Sequence, residues 1–270
     1  MKGLTAWLAA SLLCVLLTPA SRASEIDARP PDRLTLIANG STLTDTDGGY
    51  GGSLSWLHYF TPNAIVGVGA EHQTIADAQF AFGSLRGSWS TGQPSSRFSV
   101  YGEVQYGNGD DDGRDFDYGV EVLSLSQALG SKFSVQLEGR QIDIDTTHGN
   151  LPKLGITYLW TPRLLTNVAY AKSVSGNVNT ELITARLDHY GPHVNFIMGG
   201  ASGRADPAVL NQPGLDLPSR DLKQGFIGIG RTFTRCDVQL LVDYLELGES
   251  EKATLTLSFT AYVGSRGQAR

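Results

Sequence analysis

The sequence predicts an all-β protein: a transmembrane up-and-down antiparallel β-barrel of about fourteen strands, with twelve or sixteen as the alternatives. Three observations predict it. The chain opens with an export signal. It then alternates apolar and polar residues in segments mostly 10 to 13 residues long. Globular strands run to roughly 5–6 residues, whereas a tilted strand needs about 9–11 to cross a bilayer. Finally, the links between segments alternate short and long, the rhythm of inner turns and outer loops.

Residues 1–23 read as a secretory signal peptide. Lys2 supplies the positive start, Leu4 to Leu17 the apolar middle, and Ser21 and Ala23 the small-x-small spacing after Pro19. Cleavage is expected after Ala23. The alternative is an uncleaved anchor, since the uncharged run from Gly3 to Ser21 is 19 residues long; the small residues after Pro19 favour cleavage. Cys14 follows Leu13 rather than a small residue, which argues against lipidation. No later apolar run is long enough for a spanning helix. Residues 24–32 are then a short periplasmic segment, 33–263 the barrel and 264–270 a polar tail.

Fourteen alternating segments can be counted: 33–42, 50–60, 63–73, 78–90, 96–107, 115–127, 132–143, 151–161, 163–173, 179–190, 193–203, 223–232, 236–247 and 253–263. The last is the clearest. Ala253, Leu255, Leu257, Phe259, Ala261 and Val263 share one face, and Thr254, Thr256, Ser258, Thr260 and Tyr262 the other. In 78–90 and 163–173 both faces carry apolar residues, so the parity there is open. Short links recur at Thr61-Pro62, Thr91–Pro94, Gly130-Ser131, Thr161-Pro162, Gly191-Pro192 and Thr234-Arg235. Longer polar links lie between them: Asp45–Gly49, Gly107–Arg114, Thr146–Asn150, Ser175–Asn179, Arg204–Leu222 and Gly248–Lys252. Tyr59, Phe60, Trp89, Trp160, Tyr190 and Phe233 sit beside the short links, as an aromatic girdle would. Closure is a physical requirement, because an open sheet edge in hydrocarbon leaves backbone groups unpaired.

Glycine makes up 32 of 270 residues, against an average of about 7%. No low-complexity tract holds them. Gly67, Gly69, Gly119, Gly155 and Gly228 fall inside strands, where they allow curvature and close packing. The formal charge of -6 and pI of about 5.3 argue against nucleic acid as a partner. Without Lys2 and Arg22 the 21 basic residues fall to 19 against 27 acidic, a net of -8. Two cysteines, Cys14 and Cys236, exclude a disulfide framework.

Parity places twelve charged residues on the inward face: Glu71, Arg97, Glu103, Asp117, Glu121, Glu138, Arg140, Lys153, Arg186, Asp188, Asp237 and Asp243. They either pair and fill a narrow lumen or line a polar channel. Their acid excess favours cations or neutral sugars. The link from Gly203 to Lys223, with three prolines, reads as an exposed loop with a short turn; the alternative is a plug or gate folded into the mouth.

No HExxH, CxxC, Walker loop or GxSxG is present, so no catalytic, cofactor or metal residue is assigned. Asp143, Asp145 and His148 form the one acid–histidine group, and a polar loop tip explains it. Ser124 and Ser126 have no evident partners for a triad. Gly107–Arg114 (GNGDDDGR) lacks the terminal bidentate glutamate of a calcium loop and reads as a solvated acidic loop.

The stretch Asn179–Gly203 resembles the YaiO-type outer-membrane β-barrel family: a strand ending in Ala185-Arg-Leu187, a glycine turn at Gly191 and a returning strand that ends in glycine. Such kinship implies an exported outer-membrane barrel related in shape to barrels of exopolysaccharide export, with no defined substrate. The chain departs from the pattern at its C-terminus, where a polar tail follows Val263 instead of a terminal aromatic. The expected function is therefore a passive channel or export accessory, with polysaccharide or small solutes as cargo. The alternatives are a non-conducting structural or adhesion barrel that binds a partner or glycan through its outer loops, and a rim hydrolase. Expected partners are outer-membrane lipid, lipopolysaccharide and the barrel-assembly machinery.

Overall fold

The structure, a computed structural model, describes residues 31–264 apart from 45–47, 76–77, 112, 145, 207–219 and 249. The expected signal peptide and its cleavage site, most of the polar tail and most of the long proline-containing link lie outside the described residues. The strands are β1 (Asp32–Leu43), β2 (Gly49–Thr61), β3 (Ala64–Ile75), β4 (Ala78–Thr91), β5 (Phe98–Asp111), β6 (Arg114–Leu129), β7 (Phe133–Ile144) and β8 (Thr147–Thr161). They continue with β9 (Leu164–Lys172), β10 (Ser175–Gly176), β11 (Glu181–Tyr190), β12 (Val194–Ala205), β13 (Arg220–Thr232), β14 (Cys236–Leu247) and β15 (Ser250–Val263).

Each wall strand pairs antiparallel with its neighbours in sequence, and β15 pairs with β1, so the sheet closes into a fourteen-stranded barrel. Closure gives every wall strand two partners, which hydrocarbon demands. The two-residue β10 is the exception. It pairs with the outer end of β8 beyond a step in the β8–β9 ladder near Pro152, which has no N–H to donate. Among the described residues the one helical piece is the 3-10 turn Pro94–Ser96 between β4 and β5.

The strands form because residues two apart share an environment. Leu36, Leu54, Val68, Leu85, Leu123, Leu137 and Leu154 point outward, each about half exposed. A continuous belt of that kind would be untenable in water and is the surface a barrel presents to lipid. Outward aromatics border it: Trp56, Phe60, Trp89, Phe133 and Trp160 on one side, Tyr50, Tyr106, Tyr170 and Tyr244 on the other. Phe60 and Tyr50 are ten residues apart on β2, which spans about 25 Å of bilayer at a usual strand tilt. Two of the short turns share a Thr-Pro start. Thr61 Oγ1 accepts from the N–H of Asn63, and Thr161 Oγ1 from that of Arg163, both at 3.2 Å. The ladder shifts register beside each.

Three segments read as polar links are largely strand. β5 and β6 run out to Asp111 and Arg114, β8 begins at Thr147, and β15 begins at Ser250. Asp and Gly are poor strand formers, but ladder pairing with the neighbouring strand carries the hairpins past the apolar belt into water.

Candidate functional site

The barrel interior is the candidate site. Ten of the twelve expected charges stand on the inward face: Glu71, Arg97, Glu103, Glu138, Arg140, Lys153, Arg186, Asp188, Asp237 and Asp243. The pairs they form run along the wall. Glu138 accepts from Lys153 Nζ at 3.2 Å on the adjacent strand and lies 3.6 Å from Arg140. Arg186 grips Asp188 through Nε and Nη2 at 2.8 and 2.5 Å. Tyr101 and Gln105 both donate to Glu103, and Tyr262 donates to Asp237. Gln136 donates to Ser124 Oγ at 2.8 Å, which continues the network across β6 and β7.

Asp117 and Glu121 do not face the lumen. Both point outward and are exposed, and Tyr106 donates to Glu121 on that outer surface. The apolar face of a strand meets lipid only at the height of the apolar belt. On the outer part of β6 the environments are exchanged: Phe116, Tyr118, Val120 and Val122 are buried inside, and the acidic face meets water beyond the apolar belt.

Four inward cations were missed, among them Arg220 at the outer end of β13, register partner of the buried Ala205. Arg33 lies over the rings of Tyr59 and Tyr262, 5.4 and 5.8 Å from their centroids. Arg86 sits in a segment whose parity was ambiguous, and Lys252 in a segment read as a link. Extending the β15 alternation two residues back from Thr254 would have found Lys252. Among the described residues eight inward cations (Arg33, Arg86, Arg97, Arg140, Lys153, Arg186, Arg220, Lys252) now face six carboxylates (Glu71, Glu103, Glu138, Asp188, Asp237, Asp243). The acid excess is gone.

The interior has two characters. In the outer half one buried apolar cluster lines the wall from β4 round to β14, including Phe80, Phe82, Phe116, Tyr118, Ile142, Ile144, Leu151, Leu182, Leu222, Leu245 and Leu247. Phe82 and Tyr118 stack with centroids 4.9 Å apart. Glycines on adjoining strands make room for these side chains. A Cβ on Gly109 would lie 2.0 Å from Cζ of Phe116, one on Gly107 2.5 Å from Cβ of Phe82, and one on Gly149 2.8 Å from Cβ of Val178. The other wall is polar. On β15 the inward residues are Ser250, Lys252, Thr254, Thr256, Ser258, Thr260 and Tyr262, and β1 and β2 add Thr35, Asn39, Ser41, Ser53 and Ser55. Inward side chains of β1–β3 and of the half of the barrel beside the short turns are mostly half-buried, so they are open to water.

The outer rim offers little chemistry. Asp143 and His148 are register partners across β7–β8, both outward. Asp143 lines an outward cleft of about 440 Å³ with Asp115, Asp117 and Glu121. Asp145 lies outside the described residues. Ser124 and Ser126 face inward, on the opposite side of the wall from His148, so no triad can assemble. Asp110 Oδ1 accepts from the N–H of Gly113 at 3.2 Å and closes the β5–β6 turn. Among the described residues no group of three His, Cys, Asp or Glu side chains is placed to hold a metal ion. At the mouth of β9–β11, the Tyr170 hydroxyl and Lys172 hold the Glu181 carboxyl below its ordinary value.

No protein-family model matches the chain, and no curated protein matches it. Solved structures do resemble it. The chain is similar to the CymD monoaromatic hydrocarbon channel, with a TM-score of 0.61 at 12% identity over 93% of this chain and 92% of that one. It is similar to a Pseudomonas aeruginosa FadL homologue, with a TM-score of 0.56 at 8% identity over 87% and 91%. A bacterial polysaccharide outer membrane secretin gives 0.51 at 7% identity over 88% and 100%. At these identities the likeness defines the class of fold, an outer-membrane β-barrel.

Proposed function

We propose that this chain is a passive channel of the bacterial outer membrane. One observation carries the reading: a polar wall along β15 and β1–β3, half-buried on β1–β3 and at the inner end of β15 and buried from Ser250 to Thr256, passes beside the buried apolar cluster of the outer mouth. The polar wall offers a path, and the cluster narrows it. With inward charges nearly balanced, the lumen suits neutral solutes rather than ions of one sign. The chain is exported through its N-terminal signal, and the YaiO-type kinship of Asn179–Gly203 belongs to the same proposal. The β11–β12 hairpin over that stretch supports it. The link to exopolysaccharide draws support from the hydroxyl-bearing wall and from the polysaccharide secretin with a similar fold.

A second reading, passage of small apolar solutes, is favoured by the ring cluster Phe80, Phe82, Phe116 and Tyr118. CymD, of similar fold, is a channel for monoaromatic hydrocarbons.

Planar-bilayer recording tests the channel, using the refolded mature protein and a Phe82→Ala/Phe116→Ala variant. The expected result is small or infrequent current steps from the parent and large stable steps from the variant. Silence from both, with folding shown by heat-modifiable gel mobility, would leave a non-conducting structural barrel. Toluene entry into vesicles, faster than that of a neutral sugar of similar size, would favour the second reading.

A further inference from the structure

Among the described residues eight buried side-chain polar atoms have no hydrogen-bond partner, and three of them lie together toward the outer end of β14 and β15: Oδ1 of Asp243, Oγ of Ser250 and Oγ1 of Thr254. Their residues are only 4%, 5% and 5% exposed. All three side chains are on the inward face, and Asp243 and Thr254 are register partners across β14–β15. Buried polar atoms are nearly always satisfied, because desolvation without a partner is costly. Three such atoms on one patch, inside a lumen, point to a ligand that supplies the missing bonds.

We propose that the inward face of β15, together with Asp243 of β14, is a binding track for neutral oligosaccharide, with Asp243, Ser250 and Thr254 as its outer subsite. The proposal rests on the channel reading and names its cargo. Donor and acceptor types set the ligand class. Oδ1 of Asp243 suits an O–H, and the inward Lys252 between Ser250 and Thr254 is offset by the Asp243 carboxyl facing it, so the patch suits a neutral ligand. Hydroxyls of Ser250 and Thr254 both donate and accept, which matches the hydroxyls of a sugar. Gln224 already donates to Oδ2 at 2.7 Å, so the carboxylate is held with Oδ1 free to receive.

Dimensions agree. Ser250 to Thr254 is four residues of extended strand, about 13 Å, the length of a short oligosaccharide. From Thr254 the inward face continues as Thr256, Ser258 and Thr260 toward the periplasmic end. Beyond the subsite, β6 lies seven strands from β14 in either direction round the barrel, so Phe116 and Tyr118 occupy the opposite wall. Rings there suit the C–H face of a sugar whose hydroxyls engage β15.

Saturation-transfer NMR with maltotriose, on the refolded mature protein in detergent micelles, tests the site without requiring current. The parent should give a saturable signal. Asp243→Asn should weaken it about tenfold, as loss of a bond to a charged acceptor does, and Thr254→Val, nearly isosteric, about fivefold. Because Thr254→Val removes an unpartnered buried hydroxyl, its urea midpoint should hold or rise. Ser134→Ala, inward on the remote β7, should bind as the parent does. Absence of a saturable signal from folded parent protein overturns the track. So does equal binding by parent and both variants, which would mean that these atoms hold ordered water only. Binding that the two variants weaken, without current from the Phe82→Ala/Phe116→Ala protein, keeps the site and sinks the channel. Current without binding does the reverse.

Discussion

Gly109 shows what the glycine excess does residue by residue. It sits on the inward face of β5, opposite Phe116 in the ladder, and a Cβ there would enter the ring. Phe116 is 4% exposed and hemmed in by the cluster, so it cannot simply turn away. Gly109→Val should therefore destabilise the barrel by about 1–3 kcal/mol through overpacking, despite the better strand propensity of valine. Urea unfolding in phospholipid vesicles measures it. The displaced ring should also enlarge the current steps. Glu181 makes a second residue-scale case, at the outer end of β11 where water is free. Its carboxyl is held below the ordinary value by the Tyr170 hydroxyl and Lys172. A group with a lowered folded pKa contributes stability that is present above its unfolded pKa and lost as pH falls through the folded one. The protection factors of the Ser173 and Thr180 amides, paired beside it, should fall as the medium is acidified through the carboxylate range. Glu181→Gln should abolish that acid dependence; if protection falls equally in the variant, the carboxylate is not its cause.

At the level of the strand, the decisive quantity is what lies on each side of the wall at a given height. β7 illustrates it: Leu137 meets lipid, while Gln136, one residue away, bonds Ser124 inside. Leu137→Arg should cost about 2–4 kcal/mol, the penalty for a cation near the bilayer midplane. Gln136→Arg, with Glu138 nearby, should change stability by less than about 1 kcal/mol. Comparable losses in the two would reverse the assigned faces. The same consideration explains what could be read from the sequence. All fourteen wall strands were legible, twelve from a sustained period of two and the two with apolar residues on both faces, 78–90 and 163–173, from their length between turn signals. Most inward charges followed from the period. Asp117 and Glu121 did not, because β6 climbs past the belt, where lipid gives way to water outside and the apolar cluster replaces polar lining inside. The outer hairpin ends were hidden by Asp and Gly, whose strand conformation is imposed by pairing rather than propensity. β10 was invisible for a related reason: two residues, one of them Gly176 at φ 82°, are held by β8 alone. The apolar cluster escaped notice because its members lie on different strands and meet only after closure.

For the whole molecule, the net charge of -6 misleads about the lumen, because the surplus carboxylates are outside it. Asp115, Asp117, Glu121 and Asp143 crowd the outward cleft near the rim, while the lumen holds its opposite charges in wall-bound pairs such as Glu138 with Lys153 and Arg186 with Asp188. A paired charge presents little field to a passing ion, and the unlike signs alternate around the wall, so neither potassium nor chloride gains an advantage. Under a KCl gradient, the Phe82→Ala/Phe116→Ala channel should therefore reverse close to zero potential. Adding Glu103→Gln and Glu138→Gln leaves Lys153 and Arg140 without their carboxylate and should move the reversal toward the chloride potential. Adding Asp117→Asn and Glu121→Gln instead should leave it where it was, since those groups lie on the far side of the wall. A shift from the outer pair as large as from the inner pair would mean that the permeating ion senses the rim rather than the lumen. The polar wall of β15 and β1–β3 would then not be the conducting path.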